Sequence, residues 1–183
     1  MKITSDHEKY EDAVYFLRMA YEVADDFATD PSTQNGAILV DSDGHPFSEG
    51  ANHFPNGVEE KTDRWERPGK YLFVEHAERN VIYAAARAGF KTDKATMYCP
   101  WAACTDCARA IIQAGIKEVI THHKPVPDSG ERFGMPVHPK WSESINVALL
   151  MLEEAGVNIN WVEDKLYKND ELRIRFNEQL ISP

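Results

Sequence analysis

His76-Ala77-Glu78 precedes Cys104-Thr105-Asp106-Cys107 by a spacer of 25 residues. One histidine and two cysteines in such a pattern are typical zinc ligands, and three protein ligands leave the fourth tetrahedral position to water, as catalytic zinc requires. Glu78 is not needed as a ligand, so its carboxylate is available to transfer protons. The two motifs therefore predict a catalytic site with one zinc ion per chain.

Short apolar strands alternate with amphipathic helices along the chain. Strands are expected over residues 35–40, 46–51, 95–99, 118–121 and 158–162, and helices over residues 75–88, 105–114 and 142–155. This order predicts an α/β fold in which helices cover both faces of a sheet. His76 would lie in the first turn of one helix, and the two cysteines would straddle the first turn of the next.

Two further helices are expected near the ends of the chain. Ser5 and Glu8 have the spacing of a capping box, which predicts a helix from there to about residue 27. Its apolar face would comprise Val14, Leu17, Tyr21, Ala24 and Phe27. A terminal helix is expected over residues 170–180. The length predicts one domain over residues 1–183, with a core over about 7–162 and a C-terminal helical extension over about 163–183.

Composition limits the classes of partner. The formal net charge is −10 at pH 7, and a negative surface repels phosphate backbones, so no nucleic-acid partner is expected. The N-terminus is too polar for a signal peptide, and no apolar run approaches the roughly 18 residues of a membrane span. Three cysteines without an export signal indicate reduced thiols and a cytoplasmic location.

Several residues near the motifs allow two interpretations. Cys99 could be a fourth ligand that makes the zinc structural, but the favoured interpretation is a buried strand residue. His122 and His123 could form a second metal site or contact a phosphate, but two histidines at a strand end need no ligand. Trp101 stands in the loop before the zinc cysteines and could contact a ligand, whereas the other tryptophans are expected to pack in the core.

Five motifs, in order, resemble the deoxycytidylate deaminase branch of the cytidine deaminase superfamily. They are QNGAILV (34–40), GANHFPNG (50–57), HAERN (76–80), CTDCARAIIQAGI (104–116) and EAGV (154–157). The pair H-x-E and C-x-x-C is the signature of zinc-dependent nucleobase deaminases. The resemblance covers most of the chain, from about residue 34 to residue 162.

The resemblance implies a three-layer α/β/α cytidine-deaminase-like fold with a mixed five-stranded sheet. It also implies a hydrolase that acts on a cyclic amidine C–N bond and converts dCMP to dUMP in pyrimidine nucleotide metabolism. His76, Cys104 and Cys107 would bind zinc, which lowers the pKa of water. Glu78 would carry protons from that water to the ring nitrogen and to the departing ammonia.

Substrate contacts also follow from the resemblance. Asn52 would contact the sugar hydroxyl, and the backbone around Ala77 would meet the carbonyl oxygen of the base. The loop containing Ala102 and Ala103 would offer a backbone carbonyl to the exocyclic amine. Ala103 stands where the family has a proline, so this loop leaves the choice of substrate open.

The resemblance further implies partners and assembly. Members of the family are usually hexamers, and many are regulated by dCTP and dTTP bound near the loop that corresponds to residues 50–57. Val58 stands where some members have a cysteine that binds a second zinc, so one zinc per chain is expected.

Other functions remain open at the level of the sequence. A phosphate-bearing substrate needs basic contacts, for which Lys70, Lys124 and Arg132 are candidates. The main alternative is a deaminase of another small substrate, such as a modified pyrimidine nucleotide, a nucleoside or a free base. A nucleic-acid deaminase is disfavoured by the acidic charge. A non-catalytic zinc module is disfavoured because it has no use for Glu78.

Overall fold

The computed structural model describes residues 1–123, 131–132, 135–136, 139–168 and 171–183. Within these ranges the helices are α1 (Tyr10–Phe27), α2 (Ala77–Ala88), α3 (Thr105–Gln113) and α4 (Pro139–Glu154). The strands are β1 (Gly36–Val40), β2 (Pro46–Ala51), β3 (Thr96–Tyr98), β4 (Glu118–His122), β5 (Glu131–Arg132), β6 (Met135–Pro136), β7 (Asn158–Val162), β8 (Ile174–Phe176) and β9 (Gln179–Ile181). Two short 3-10 helices, Thr62–Trp65 and Gly69–Leu72, lie between β2 and α2.

The central sheet has five strands in the order β2-β1-β3-β4-β7. β1 is antiparallel to β2 and β3, whereas β3, β4 and β7 are parallel. Parallel neighbours require crossover connections, and α3 and α4 are those connections. The prediction of a mixed five-stranded sheet is therefore confirmed.

Helices cover both faces of this sheet because successive strand residues point to opposite sides. In β1, Ile38 packs in one core cluster with residues of α1 such as Leu17. The next residue, Leu39, packs in a second cluster with residues of α2, α3 and α4. All five residues of β1 are buried, and the predicted three-layer α/β/α arrangement is confirmed.

Two glycines determine how closely the helices approach the β1–β2 pair. A Cβ atom added to Gly36 would lie 2.0 Å from the carbonyl oxygen of Ala20 in α1. One added to Gly50 would lie 2.4 Å from the backbone nitrogen of Val81 in α2. Since neither position has room for a side chain, both helices pack directly on strand backbone. This contact fixes α2, whose first turn carries part of the candidate site, against the sheet.

The predicted N-terminal helix begins later than expected. α1 starts at Tyr10, and the residue before it is Lys9, whose side chain makes no capping hydrogen bond. The spacing of Ser5 and Glu8 therefore does not start the helix. On the predicted apolar face, Leu17, Tyr21 and Ala24 are buried, whereas Phe27 is exposed.

The predicted helix over residues 170–180 is wrong, because β8 and β9 form an antiparallel hairpin there. Asn177 and Glu178 in its turn have φ angles of 49° and 68°, in the left-handed region that a right-handed helix cannot contain. Ile174 is buried and Arg175 is exposed, which is the alternation of a strand. The C-terminal extension is therefore a hairpin rather than helical.

The segment of residues 125–140 lies mostly outside the described residues. Its described parts are β5 and β6, which pair antiparallel, and the first residues of α4. Across the described ranges, no helix combines the length and apolar character needed to cross a membrane.

Candidate metal centre and substrate cavity

The three predicted metal ligands lie where two helices begin. His76 is the residue before the first turn of α2, and Cys104 holds the same position in α3. Cys107 follows in the first turn of α3, which Ser144 of α4 helps to cap by accepting a hydrogen bond from the backbone N–H of Thr105 at 3.1 Å. The positive ends of both helix dipoles therefore favour negatively charged ligands at this point.

Distances within this group match those around a tetrahedral zinc ion. Nδ1 of His76 lies 3.6 Å from Sγ of Cys104 and 3.5 Å from Sγ of Cys107, and the two sulfur atoms are 3.5 Å apart. Bond lengths of about 2.3 Å to sulfur and about 2.1 Å to nitrogen separate tetrahedral ligands by roughly 3.6–3.8 Å. The three side chains could therefore hold a metal together without rearrangement.

Electrostatics in the group favour a thiolate at Cys104. The hydrogen bond from Cys107 and the contact with His76 lower the pKa of Cys104 to about 3, against the effect of burial. The hydrogen bond to Cys104 and burial raise the pKa of Cys107 well above its usual range. Burial opposes the charged form of His76, but Cys104 and Glu78 outweigh burial and raise the pKa of the imidazole. The negative charge of the group thus lies on the thiolate of Cys104, where a cation would bind.

Arg79 supports the metal group from outside. Its Nη1 lies 3.6 Å from Sγ of Cys107, and its guanidinium also pairs with Glu75 one helical turn earlier. Donors that contact a ligating sulfur orient it and tune its charge. Arg79 therefore holds Cys107 in place and balances part of the thiolate charge.

Glu78 lies in the first turn of α2 and is only 3% exposed. Burial raises the pKa of its carboxyl group, as suits a group that both accepts and donates protons near neutral pH. Nδ2 of Asn35 donates a long hydrogen bond of 3.5 Å to the carboxylate. Glu78 is thus held beside the metal group without being part of it.

A single cavity joins Glu78 to the metal group. Both His76 and Cys104 contribute to its wall, together with Glu78. The other lining residues are Asp30, Thr33, Asn35, Asn52, Arg67, Lys70, Tyr71, Val74, Trp101, Ala102, Trp141, Ile145, Phe176 and Asn177. Aromatic and apolar side chains with a few polar groups are typical of a small-molecule site.

The predicted substrate contacts are divided between the cavity wall and the protein behind it. Asn52 and Ala102 line the cavity, whereas Ala77 and Ala103 are buried among core residues. The amide of Asn52 accepts from the backbone N–H of Asn35 at 2.7 Å and donates to the carbonyl of Thr33 at 2.7 Å. Because an amide nitrogen carries two donors, Asn52 can still bond to a ligand.

The profile of the "Cytidine and deoxycytidylate deaminase zinc-binding region" matches residues 10–123, more than half of the chain. The chain belongs to the cytidine and deoxycytidylate deaminase family. The matched range includes the H-x-E and C-x-x-C motifs. The family predicted from five sequence motifs is therefore confirmed.

Relatives of this deaminase include deoxycytidylate deaminases and an uncharacterised deaminase. An uncharacterised deaminase of Aliivibrio fischeri is 36% identical over 147 residues, which is 80% of this chain and 90% of that protein. The deoxycytidylate deaminase of Mus musculus is 37% identical over 123 residues, which is 64% of this chain and 67% of that protein.

The crystal structure of a dCMP deaminase from the cyanophage S-TIM5, in complex with dCMP and dUMP, has a similar fold. The TM-score is 0.63 at 24% identity, over 85% of this chain and 99% of that chain. At this level of identity the comparison shows the fold, and it confirms the cytidine-deaminase-like arrangement.

Of the three predicted phosphate contacts, Lys70 is the one whose side chain lies within the described part of the deaminase. Its ammonium group donates to both carboxylate oxygens of Asp30, at 2.9 and 2.7 Å, and to Oγ of Ser32 at 2.7 Å. Lys70 lines the cavity, but its charge is already balanced by a buried carboxylate. Lys124 and the side chain of Arg132 lie outside the described residues.

The favoured interpretations of Cys99 and His122 agree with the structure. Cys99 is buried in the core and lies outside the metal group found among the described residues. Nδ1 of His122 lies 2.7 Å from the hydroxyl of Tyr21, and Nε2 lies 3.1 Å from the carbonyl of Asp164. His122 is therefore a core histidine whose ring nitrogens both have protein partners.

Several cavity residues were not predicted from the sequence, among them Asn35, Arg67, Trp141, Phe176 and Asn177. Trp141 was expected to pack in the core, yet it lines the cavity with its ring centroid 5.9 Å from that of His76. Arg67 lies shortly before the H-A-E motif, and this position along the chain is a signal for a place in the cavity wall. Phe176 and Asn177 belong to the hairpin, in the range where the sequence predicts a helix.

Proposed function

We propose that this protein is a zinc-dependent hydrolase that converts dCMP and water to dUMP and ammonia. The observation that carries the proposal is one cavity whose wall contains the separate carboxylate Glu78 together with His76 and Cys104 of the metal group. A structural zinc site has no need of such a carboxylate. Similarity to deoxycytidylate deaminases, such as the mouse protein at 37% identity, supports dCMP as the substrate.

His76, Cys104 and Cys107 would hold one zinc ion per chain. When bound, zinc supplies Lewis acidity, which makes a water molecule nucleophilic at neutral pH. Glu78 accepts a proton from that water and delivers it to the ring nitrogen beside the carbon that bears the amino group. The water oxygen bonds to that carbon as the ring nitrogen is protonated. The carboxylate of Glu78 then takes the remaining proton of that oxygen and passes it to the amino group, so that the C–N bond breaks and ammonia leaves. General acid–base catalysis of this kind contributes about 10²–10⁴-fold to the rate.

Other chain groups would position the nucleotide. Asn52 retains an N–H donor for a sugar hydroxyl, and Ala102 presents the loop before α3 to the exocyclic amine. Trp101 and Trp141 supply aromatic surfaces in the cavity wall, which exclude water from the reacting atoms. Ala77 lies at the start of α2, where its backbone would meet the carbonyl of the base.

The cell compartment and the assembly belong to the same proposal. We propose a cytoplasmic homo-oligomer, a hexamer by similarity to the family, with dCTP and dTTP as candidate regulators near residues 50–57. Analytical ultracentrifugation with and without each triphosphate tests this proposal. A monomer under all these conditions would contradict it.

The decisive test of function is a deamination screen with the zinc-loaded protein. The substrates are CMP, dCMP, dCTP, cytidine, cytosine, guanine and adenosine, with ammonia release as the readout. We expect the highest kcat/KM for dCMP. Activity on nucleosides or free bases without activity on nucleotides would exclude the proposed substrate, while leaving a deaminase of another small molecule.

A further inference from the structure

Arg67 presents a guanidinium group to the cavity from the loop between β2 and α2. Its side chain is 48% exposed. Nη2 donates to Oγ of Ser32 and Nη1 donates to Oε1 of Glu178, both at 3.2 Å. A guanidinium has five N–H donors in a planar fork. These two bonds therefore fix the orientation of Arg67 and leave further donors for a ligand.

The tip of the C-terminal hairpin holds Glu178 beside Arg67. The backbone N–H of Glu178 donates to the carbonyl of Ser32 at 2.7 Å, and that of Asn177 donates to Oγ1 of Thr33 at 3.1 Å. Glu178 has a φ of 68°, a conformation that costs free energy for a glutamate and persists only where surrounding contacts impose it. The hairpin thus places this carboxylate by several independent contacts.

Arg67 and Lys70 differ in how firmly their positive charges are paired with carboxylates. Apart from His76 in the metal group, these two residues supply the basic side chains in the described part of the wall. Lys70 is buried and bonded to both oxygens of Asp30. Arg67 is half exposed, and its partner Glu178 is itself 68% exposed, so water screens their attraction. An incoming anion can therefore compete for Arg67 far more readily than for Lys70.

We propose that Arg67 binds the phosphate of the nucleotide substrate. Glu178 orients Arg67 and partly offsets its positive charge. The inference rests on the proposed function, since it concerns the phosphate-bearing substrate of that site. A planar guanidinium can donate to two phosphate oxygens at once. The negative charge of Glu178 repels the same phosphate, so the two residues have opposite effects on nucleotide binding.

The test is the phosphate preference, defined as the dissociation constant for 2′-deoxyuridine divided by that for dUMP, from titration calorimetry on the zinc-loaded protein. Arg67→Gln is expected to reduce this preference about 10- to 100-fold, as for the loss of one or two hydrogen bonds to a charged group. Arg64→Gln is the matched control, because Arg64 lies in the same loop, donates to the carbonyl of Glu59 and is not part of the cavity wall. The control should keep the wild-type preference.

Glu178→Gln is expected to change the preference in the opposite direction. The amide retains an acceptor for Nη1 of Arg67 but removes the repelling charge, so the preference should rise about 2- to 10-fold. A lower phosphate preference in both variants would mean that the pair only holds the hairpin in place, and would overturn the phosphate role of Arg67. No preference in the wild type, or an unchanged preference in Arg67→Gln, would also overturn it.

These outcomes are distinct from failure of the proposed function, because binding is measured without turnover. A wild-type protein that prefers dUMP through Arg67 but does not deaminate dCMP would refute the function and keep the phosphate site. A wild-type protein that deaminates dCMP, with an unchanged preference in Arg67→Gln, would refute the phosphate site alone.

Discussion

Nδ2 of Asn35 lies 3.5 Å from a carboxylate oxygen of Glu78. The same amide nitrogen is 3.3 Å from Sγ of Cys99, and the backbone N–H of Asn35 donates to Asn52 at 2.7 Å. Asn35, the second residue of the motif QNGAILV, therefore connects the start of the first strand to the carboxylate that is proposed to move protons.

Replacing Asn35 with leucine should lower kcat about 5- to 10-fold with little change in KM, because Glu78 loses a donor that orients it. The readout is steady-state kinetics with dCMP. Asn160→Leu is the control, since Asn160 is also buried and donates to a glutamate, Glu118 at 2.6 Å, but on β7 away from the cavity. An equal fall of kcat in both variants would mean that Asn35 acts only through stability.

Replacing Glu78 with glutamine should reduce kcat by about 10²–10⁴-fold, because the amide cannot carry protons. The metal group does not include Glu78, so the zinc content should stay at one per chain. Elemental analysis and ammonia release on the same preparation separate the two effects. Normal turnover in Glu78→Gln would refute the assigned role of Glu78.

Replacing Arg79 with methionine should weaken zinc binding about 10- to 100-fold, because Cys107, a proposed zinc ligand, loses its supporting donor. Competition with a chromogenic chelator measures this change. Arg109→Met is the matched control on α3, since Arg109 pairs with the exposed Asp106. Among the described residues, Arg109 has no hydrogen bond to the sulfur of Cys104 or Cys107. Equal zinc affinity in the wild type and Arg79→Met would exclude the supporting role.

Replacing Lys70 with methionine should destabilise the fold by about 3–5 kcal/mol, because the buried carboxylate of Asp30 loses its partner. The double variant Lys70→Met/Asp30→Leu should recover part of this loss, since it leaves no uncompensated buried charge. Chemical denaturation monitored by tryptophan fluorescence gives both free energies of unfolding. A loss below about 1 kcal/mol for Lys70→Met would contradict a structural ion pair.

Much of the fold and the metal group could be predicted because the sequence patterns that indicate them each span only a few neighbouring residues. The H-x-E and C-x-x-C motifs each lie within one helical turn, and together they form the recognisable signature of zinc-dependent nucleobase deaminases. β1 is a continuous apolar run, and β2 and β7 have the predicted bounds, Pro46–Ala51 and Asn158–Val162. Turn residues and apolar periodicity were sufficient for these elements.

The parts of the fold and of the cavity that could not be predicted depend on contacts between distant parts of the chain. Residues 170–180 contain apolar side chains that fit a helix or a strand, and docking against the segment before β1 decides between them. There Gln34 exchanges two hydrogen bonds of 2.9 Å with the backbone of Arg175. Nothing in the sequence around Phe176 or Asn177 indicates this pairing, so the hairpin wall of the cavity could not be predicted.

The 3.5 Å separation of the sulfur atoms of Cys104 and Cys107 also governs the redox chemistry of the protein. Two cysteines in a C-x-x-C motif at a helix N-terminus form a reactive pair when one is a thiolate. Without a metal ion, mild oxidants would join them in a disulfide that abolishes the ligand set. Bound zinc would therefore protect the same sulfur atoms from oxidation, and metal-free protein should be handled under reducing conditions.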